Sequence, residues 1–146
     1  MKTYLLIGCA CLCLLLGGCT KKPIDNQIEG MWKLEEFVTR QDGVPHPCDR
    51  LYYSITRYVV EVAEKQGSHD YGSFVARFAY GEGREELHMQ HFKRRRYTSD
   101  SGEDATVGQL LPFGMNATST TFRVKELSRK RMVLESDYAT LWLSKF

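Results

Sequence analysis

From residue 31 onward, apolar and aromatic side chains recur at alternate positions. Trp32, Leu34 and Val38 face Lys33, Glu35 and Thr39; Tyr58, Val60 and Val62 face Arg57 and Glu61; Phe74, Ala76, Phe78 and Tyr80 face Arg77. A period of two sends successive side chains to opposite faces of a strand, so each run builds a sheet with one wet and one dry side. β-Branched and aromatic residues fill the runs, and Gly, Pro, Asn and Asp separate them. Helical spacing is scarce, and the chain is thereby directed to an all-β fold.

Met31 to Thr39 reads as a first strand, with Glu36 and Phe37 out of step as at a bulge or twist. Gly43-Val44-Pro45-His46-Pro47 stops it. Ile55 to Glu64 reads as the next strand. Ser73 to Tyr80 and Arg84 to Lys93 form a hairpin across Gly81-Glu82-Gly83, with Leu87 and Met89 on one face of the return. Ser99 to Asn116 reads as a loop, acidic through Asp104, whose apolar anchor Leu110-Leu111-Pro112-Phe113-Gly114-Met115 is broken by proline and glycine. Thr120 to Leu127, Arg131 to Ser136 and Tyr138 to Phe146 add three strands, joined at Ser128-Arg129-Lys130 and Asp137. Such a series predicts an antiparallel up-and-down meander closing as a barrel of about eight strands. An open β-sandwich is the structural alternative.

Ahead of this region Lys2 precedes a 13-residue apolar run, Tyr4 to Leu16, which Leu16-Gly17-Gly18-Cys19 closes. The run suits a signal peptide and falls short of the ~20 apolar residues that cross a bilayer. Leu16-Gly17-Gly18-Cys19 resembles a bacterial lipobox, in which a small residue admits the peptidase and the cysteine carries the lipid. Leu6-Ile7-Gly8-Cys9 has the same letters but leaves almost no apolar run before it. The resemblance implies a signal peptide over residues 1–18, acyl chains such as palmitate on Cys19, a polar tether over 19–27 containing Pro23, and one domain over 28–146. The alternatives are a signal peptide cut elsewhere or an uncleaved anchor.

Removing residues 1–18 from the 146 leaves 128 residues, one domain's worth, and takes the net charge from +2 to +1 with the loss of Lys2. That balance, in an exported chain, argues against nucleic acid as a partner. Lys93-Arg94-Arg95-Arg96 is the local exception: a contact for membrane phosphates, or a solvated strand end that blunts edge pairing. Of the five cysteines, Cys9, Cys11 and Cys13 leave with the signal and Cys19 is lipidated, so Cys48 remains as a thiol without an internal disulfide partner. It is expected either as a small buried residue or as a surface thiol.

Gly30-Met31-Trp32 resembles the Gly-x-Trp of the first lipocalin strand. Phe122-Arg123-Val124-Lys125-Glu126-Leu127, then Met132-Val133-Leu134 and Leu141-Trp142-Leu143, is similar to the closing strands of the lipocalin-like lipoproteins of Bacteroidetes. The resemblance implies a lipocalin-like barrel in which Trp32 closes the base and a late basic residue, Arg129 or Arg131, packs over its ring. It also implies an envelope protein held in the outer membrane. Thr20 after Cys19 is compatible with delivery to the outer membrane, and by the same resemblance the absence of an acidic run at Lys21-Lys22 favours the periplasmic face over the cell surface.

No catalytic constellation is expected, and no metal or cofactor. His88 and His91, three apart on a strand, should lie on opposite faces, and His46 and His69 are placed in loops. Nothing orients a base beside Cys48. Glu35-Glu36 and Glu85-Glu86 each split across a strand. There is no phosphate-binding glycine loop, nucleophile elbow or zinc spacing. A non-enzymatic protein follows. Binding rests on inward aromatics: Tyr58, Phe74, Phe78, Met89 and Phe122 would line or fill the interior, and a barrel of about eight strands holds either side chains alone or one small ligand. The two readings are a carrier of a small apolar or amphipathic ligand, and an interaction or structural module with a filled core and an unknown protein partner. Glu36 and Arg57 would need a partner if they pointed inward.

Overall fold

The computed structural model describes residues 25–146; the expected signal peptide, Cys19 and the tether up to residue 24 lie outside the described residues. Nine strands make one antiparallel sheet: β1 (Gly30–Thr39), β2 (Pro45–Thr56), β3 (Val59–Glu64), β4 (Ser73–Tyr80), β5 (Glu86–Arg96), β6 (Ser99–Asp104), β7 (Thr120–Leu127), β8 (Arg131–Glu135) and β9 (Ala139–Lys145). Their order is β4-β3-β2-β1-β9-β8-β7-β5-β6, and β4 also pairs with β5. Eight strands therefore close into a barrel and β6 rides outside it. β5 serves three neighbours by dividing its length: Glu86–Met89 pairs with β7, Lys93–Arg96 with β6, and β4 runs along its other side.

Two bulges keep the apolar side of the sheet inward. Pairing of β1 with both β2 and β9 slips between Leu34 and Glu36, so Trp32, Leu34 and Phe37 are all buried although their spacing changes from two to three. In β5 the register against β4 slips opposite Ala76, and His91 takes φ 59°. Leu87, Met89 and Phe92 are consequently all enclosed. His88 and His91, expected on opposite faces, both point away from the core for the same reason.

β2 corrects the expected stop at Gly43–Pro47. Pro45 and Pro47 pair with Val38 and Glu36 of β1, whereas β3 joins β2 only from Leu51 onward. The prolines occupy a stretch with a single neighbour, where a missing N–H breaks no ladder on the β3 side. The expected single run from Ile55 to Glu64 is two strands and a turn. Arg57 makes the corner at φ 51°, and its N–H donates to Glu29 Oε1 at 2.5 Å. Tyr58 sits in that turn 61% exposed, not facing inward. Glu36 and Arg57 are both half-buried, so neither is a fully buried charge.

The base is closed by chain packed on chain. Trp32 has no exposed surface, and its Nε1 donates to the Ile28 carbonyl at 2.7 Å. The cation over its ring is Lys145, with Nζ 4.3 Å from the centroid, in place of the expected Arg129 or Arg131. The same ammonium donates to the Glu29 carbonyl at 2.5 Å. Gly30, at φ +129°, gives it passage, since a Cβ there would lie 2.8 Å from Nζ. Gly-x-Trp is thus a joint: glycine admits the lysine, and the lysine caps the indole.

Candidate functional site

At the opposite end the loop between β3 and β4 meets the segment between β6 and β7. A short helix, α1 (Val107–Leu110), runs into a 3-10 turn, Leu111–Phe113. Thr106 and Gln109 start α1 reciprocally: Thr106 Oγ1 accepts from the Gln109 N–H at 3.3 Å, and Gln109 Oε1 accepts from the Thr106 N–H at 2.9 Å. Leu110, Phe113 and Met115 are fully buried, as an apolar anchor should be. Gly114 turns at φ +78°, where a side chain would be crowded: a Cβ would stand 3.2 Å from both Phe37 and Leu141. This segment plugs the barrel.

The plug is fastened at one buried polar point, where the Tyr53 hydroxyl donates to the Phe113 carbonyl at 2.5 Å. Burial holds the Tyr53 phenol well above its ordinary value of 10.0, which keeps it a donor. Aromatic contacts continue outward. Phe74 meets Phe113 edge-on at 6.2 Å, Tyr71 meets Phe113 at 6.5 Å, and His69 stacks on Tyr71 at 4.8 Å.

Glu64, the last residue of β3, holds the neighbouring loop. Its carboxylate accepts from the N–H groups of His69 and Tyr71, each at 3.0 Å, and lies 2.9 Å from His69 Nδ1. Burial pushes the carboxyl up, yet those N–H groups and the His69 ring more than offset it, and its pKa falls below the ordinary 4.5. Glu64 therefore positions Tyr71.

Two clefts flank Tyr71 and Pro112. One, of about 300 Å³, is bordered by Asp70, Gly72, Phe74, Arg94, Gly108 and Gln109. The other, of about 190 Å³, includes His46, Cys48, Asp49 and His69. Cys48 is half-buried and donates to the His46 carbonyl at 3.4 Å. Burial, aided by the Glu36 charge, pushes its thiol up to about 11, so little thiolate forms at neutral pH. Among the described residues no group of three His, Cys, Asp or Glu side chains is placed to hold a metal. The mouth offers an aromatic floor, one guanidinium and a few amide and carboxylate groups.

Of the residues expected to line or fill the interior, Phe74, Phe78, Met89 and Phe122 do face inward. Met89 and Phe122 have no surface that water reaches from outside or from an inner void, and Phe78 retains 1%. Of these four, only Phe74 borders either cleft at the mouth. Tyr58 stands apart, in the β2–β3 turn at the base. The basic run from Lys93 is largely paired: Lys93 lies 3.7 Å from Asp104, Arg94 3.9 Å from Glu103, and Arg95 meets Glu61. Sequence reasoning missed Tyr53, Glu64 and Tyr71, and read Arg94 only as part of the basic run Lys93-Arg94-Arg95-Arg96. The available signal was His69-Asp70-Tyr71-Gly72, two rings in an otherwise polar loop.

The chain matches the family model of the lipocalin-like domain over residues 13–146 and belongs to that family. It is similar in fold to a lipocalin-like protein from Bacteroides uniformis, with TM-score 0.59 and 18% identity over 82% of this chain and 99% of the other. It is also similar to an uncharacterized protein from Bacteroides eggerthii, with TM-score 0.60 and 21% identity over 81% of this chain and 98% of the other. No curated protein matches it.

Proposed function

We propose that this chain is a lipid-anchored, non-enzymatic binding protein of the bacterial envelope, attached through Cys19 to the periplasmic face of the outer membrane. In this reading a small amphipathic ligand meets it at the plugged mouth instead of inside the barrel. One observation carries the choice of place: the inward residues Met89 and Phe122 have no water-accessible surface, while a cleft of about 300 Å³ opens beside Tyr71 and Phe74 at the plug. A volume of about that size suits a small ligand. Its aromatic floor would take an apolar body, and Arg94 and Gln109 a polar end.

Native mass spectrometry on the detergent-extracted protein tests this by looking for a co-purified small molecule. Tyr71→Ala should abolish its retention, or that of an apolar fluorescent probe, with little change in Tm. Phe78→Ser should instead cost about 3–5 kcal/mol, as loss of a filled-core side chain does. Probe binding lost with Phe78→Ser at unchanged Tm would move the ligand back inside. Anchoring is tested separately: Cys19→Ala should leave the membrane fraction.

A second reading has its own support. Val107 and Leu111 stand 44% and 39% exposed, four residues apart on the outer side of the plug. That spacing puts them on one face. An absent ligand together with a protein cross-linked to residue 107 would favour an interaction module.

A further inference from the structure

We propose that the outer wall of the barrel carries a second binding site, for a phosphate-class anion with an apolar body, at the bulge where β5 changes partners from β7 to β6. The site is independent of the mouth. A shallow cleft of about 240 Å³ lies there, bordered by Val59, Val75, Ala76, Arg77, His91, Lys93 and Asp100.

The strand register explains why these residues gather. Val59 of β3 pairs with Arg77 of β4, Glu61 with Val75, and Val75 in turn with Lys93 of β5. The outward row is therefore apolar at Val59 and Val75 and cationic at Arg77 and Lys93. The bulge adds a further residue, His91, to the outer face between Gln90 and Phe92. Its N–H is taken by Ser119 Oγ at 3.0 Å, which fixes the backbone there. β6 pairs alongside β5 there, with Asp100 opposite Arg95.

The charges do not cancel within this cleft. Arg95 is engaged by Glu61, and Lys93 has only the exposed Asp104 at 3.7 Å. Arg77 has no carboxylate within ion-pair distance among the described residues. Two cations and a histidine thus border a half-enclosed space lined by one carboxylate, Asp100, with the exposed Asp104 reaching Lys93 from outside the lining. A planar guanidinium and an ammonium on either side of a concavity suit a tetrahedral oxyanion, with the guanidinium fork bonding two oxygens. The floor of Val59, 50% exposed, and Val75 would cover the apolar part of the same molecule.

The shared chemistry fits a soluble phosphate monoester and a phospholipid headgroup alike, and titration distinguishes them. With the full-length protein in phosphatidylcholine nanodiscs, phenyl phosphate should saturate one site by calorimetry and bind more tightly than inorganic phosphate. Arg77→Ala and Lys93→Ala should each weaken it about tenfold or more. Arg129→Ala, an exposed cation on the β7–β8 turn, and Tyr71→Ala at the mouth should each change it by less than about twofold. In discs containing phosphatidylglycerol, an apparent loss of affinity that Arg77→Ala removes identifies the headgroup; unchanged affinity identifies a free anion. Absence of saturable binding overturns the proposal. So does an equal loss with Arg129→Ala. A loss confined to Tyr71→Ala assigns the anion to the mouth and overturns the outer-wall site without touching the first reading.

Discussion

The two ends of the barrel are closed by different means. At the base, Trp32, Ile28 and Lys145 lock strand to strand, and the seal is made from residues of the sheet or directly beside it. At the mouth the seal is a separate segment, inserted between β6 and β7 and held by three apolar side chains and one hydroxyl-to-carbonyl bond. A seal built into the sheet fails only when the barrel fails. A seal laid over it opens on its own, because a short segment with few buried contacts has a lower free energy of local opening than the strands. Clefts large enough to matter accordingly flank the plug.

The sharpest way to break this contrast is Trp32→Ala. Loss of a fully buried indole costs about 3–5 kcal/mol, and here it also leaves the Ile28 carbonyl without its donor and Lys145 without its ring. Urea unfolding should remain cooperative with a much lower midpoint. A loss below about 1 kcal/mol, the range of surface substitutions, would remove the base as the structural anchor.

Leu110→Ala strikes the other seal. It should cost less, toward the lower part of the about 2–5 kcal/mol expected for a buried leucine, because the plug relaxes more freely than a strand. Amide exchange should quicken from Ala105 to Met115 while β1 and β9 stay protected. Uniform loss of protection would show that the mouth and base are one cooperative unit.

Tyr53→Phe removes only the fastening. The Phe113 carbonyl is then left buried and unpaired, a cost of about 1–3 kcal/mol. Probe uptake at the mouth should rise at unchanged secondary structure. A fall would mean that the phenol orders the cleft more than it restrains the plug.

The same contrast explains what was legible in the sequence. Trp32, Phe74, Phe78, Met89 and Phe122 announce their burial by alternation, a local signal. The base motif was legible through the resemblance of Gly30-Met31-Trp32 to the first lipocalin strand, but its cation was not: Lys145 reaches Trp32 through barrel closure, and no local rule ranks it above Arg129 or Arg131. β2 was hidden because Pro45 and Pro47 normally end strands, and only the sheet order shows that they lack a second neighbour. Tyr58 shares the alternation of Val60 and Val62, yet Arg57 breaks the run with a turn held by distant Glu29. β6 carries no apolar face; it pairs with β5 alone, and its acidic residues meet Lys93 and Arg94. The mouth depends on contacts such as Tyr53 with Phe113, sixty residues apart.

Glu64 offers the smallest and most local test. Its carboxylate ties the N–H groups of His69 and Tyr71, and its pKa in the fold lies below the ordinary 4.5. A depressed carboxyl pKa means that the unfolded chain binds the proton more readily. The stabilisation is therefore complete above about pH 4.5 and is lost as the pH falls through the folded value. Acidification should free the β3–β4 loop before the barrel melts. Amide exchange at His69 and Tyr71, corrected for its intrinsic pH dependence, should accelerate across that window while Trp32 and Leu34 remain protected. Glu64→Gln should show the faster exchange already at neutral pH and flatten the pH profile. If Glu64→Gln exchanges like the parent at neutral pH, the carboxylate does not hold the loop, and Tyr71 owes its place to Phe113 and His69 instead.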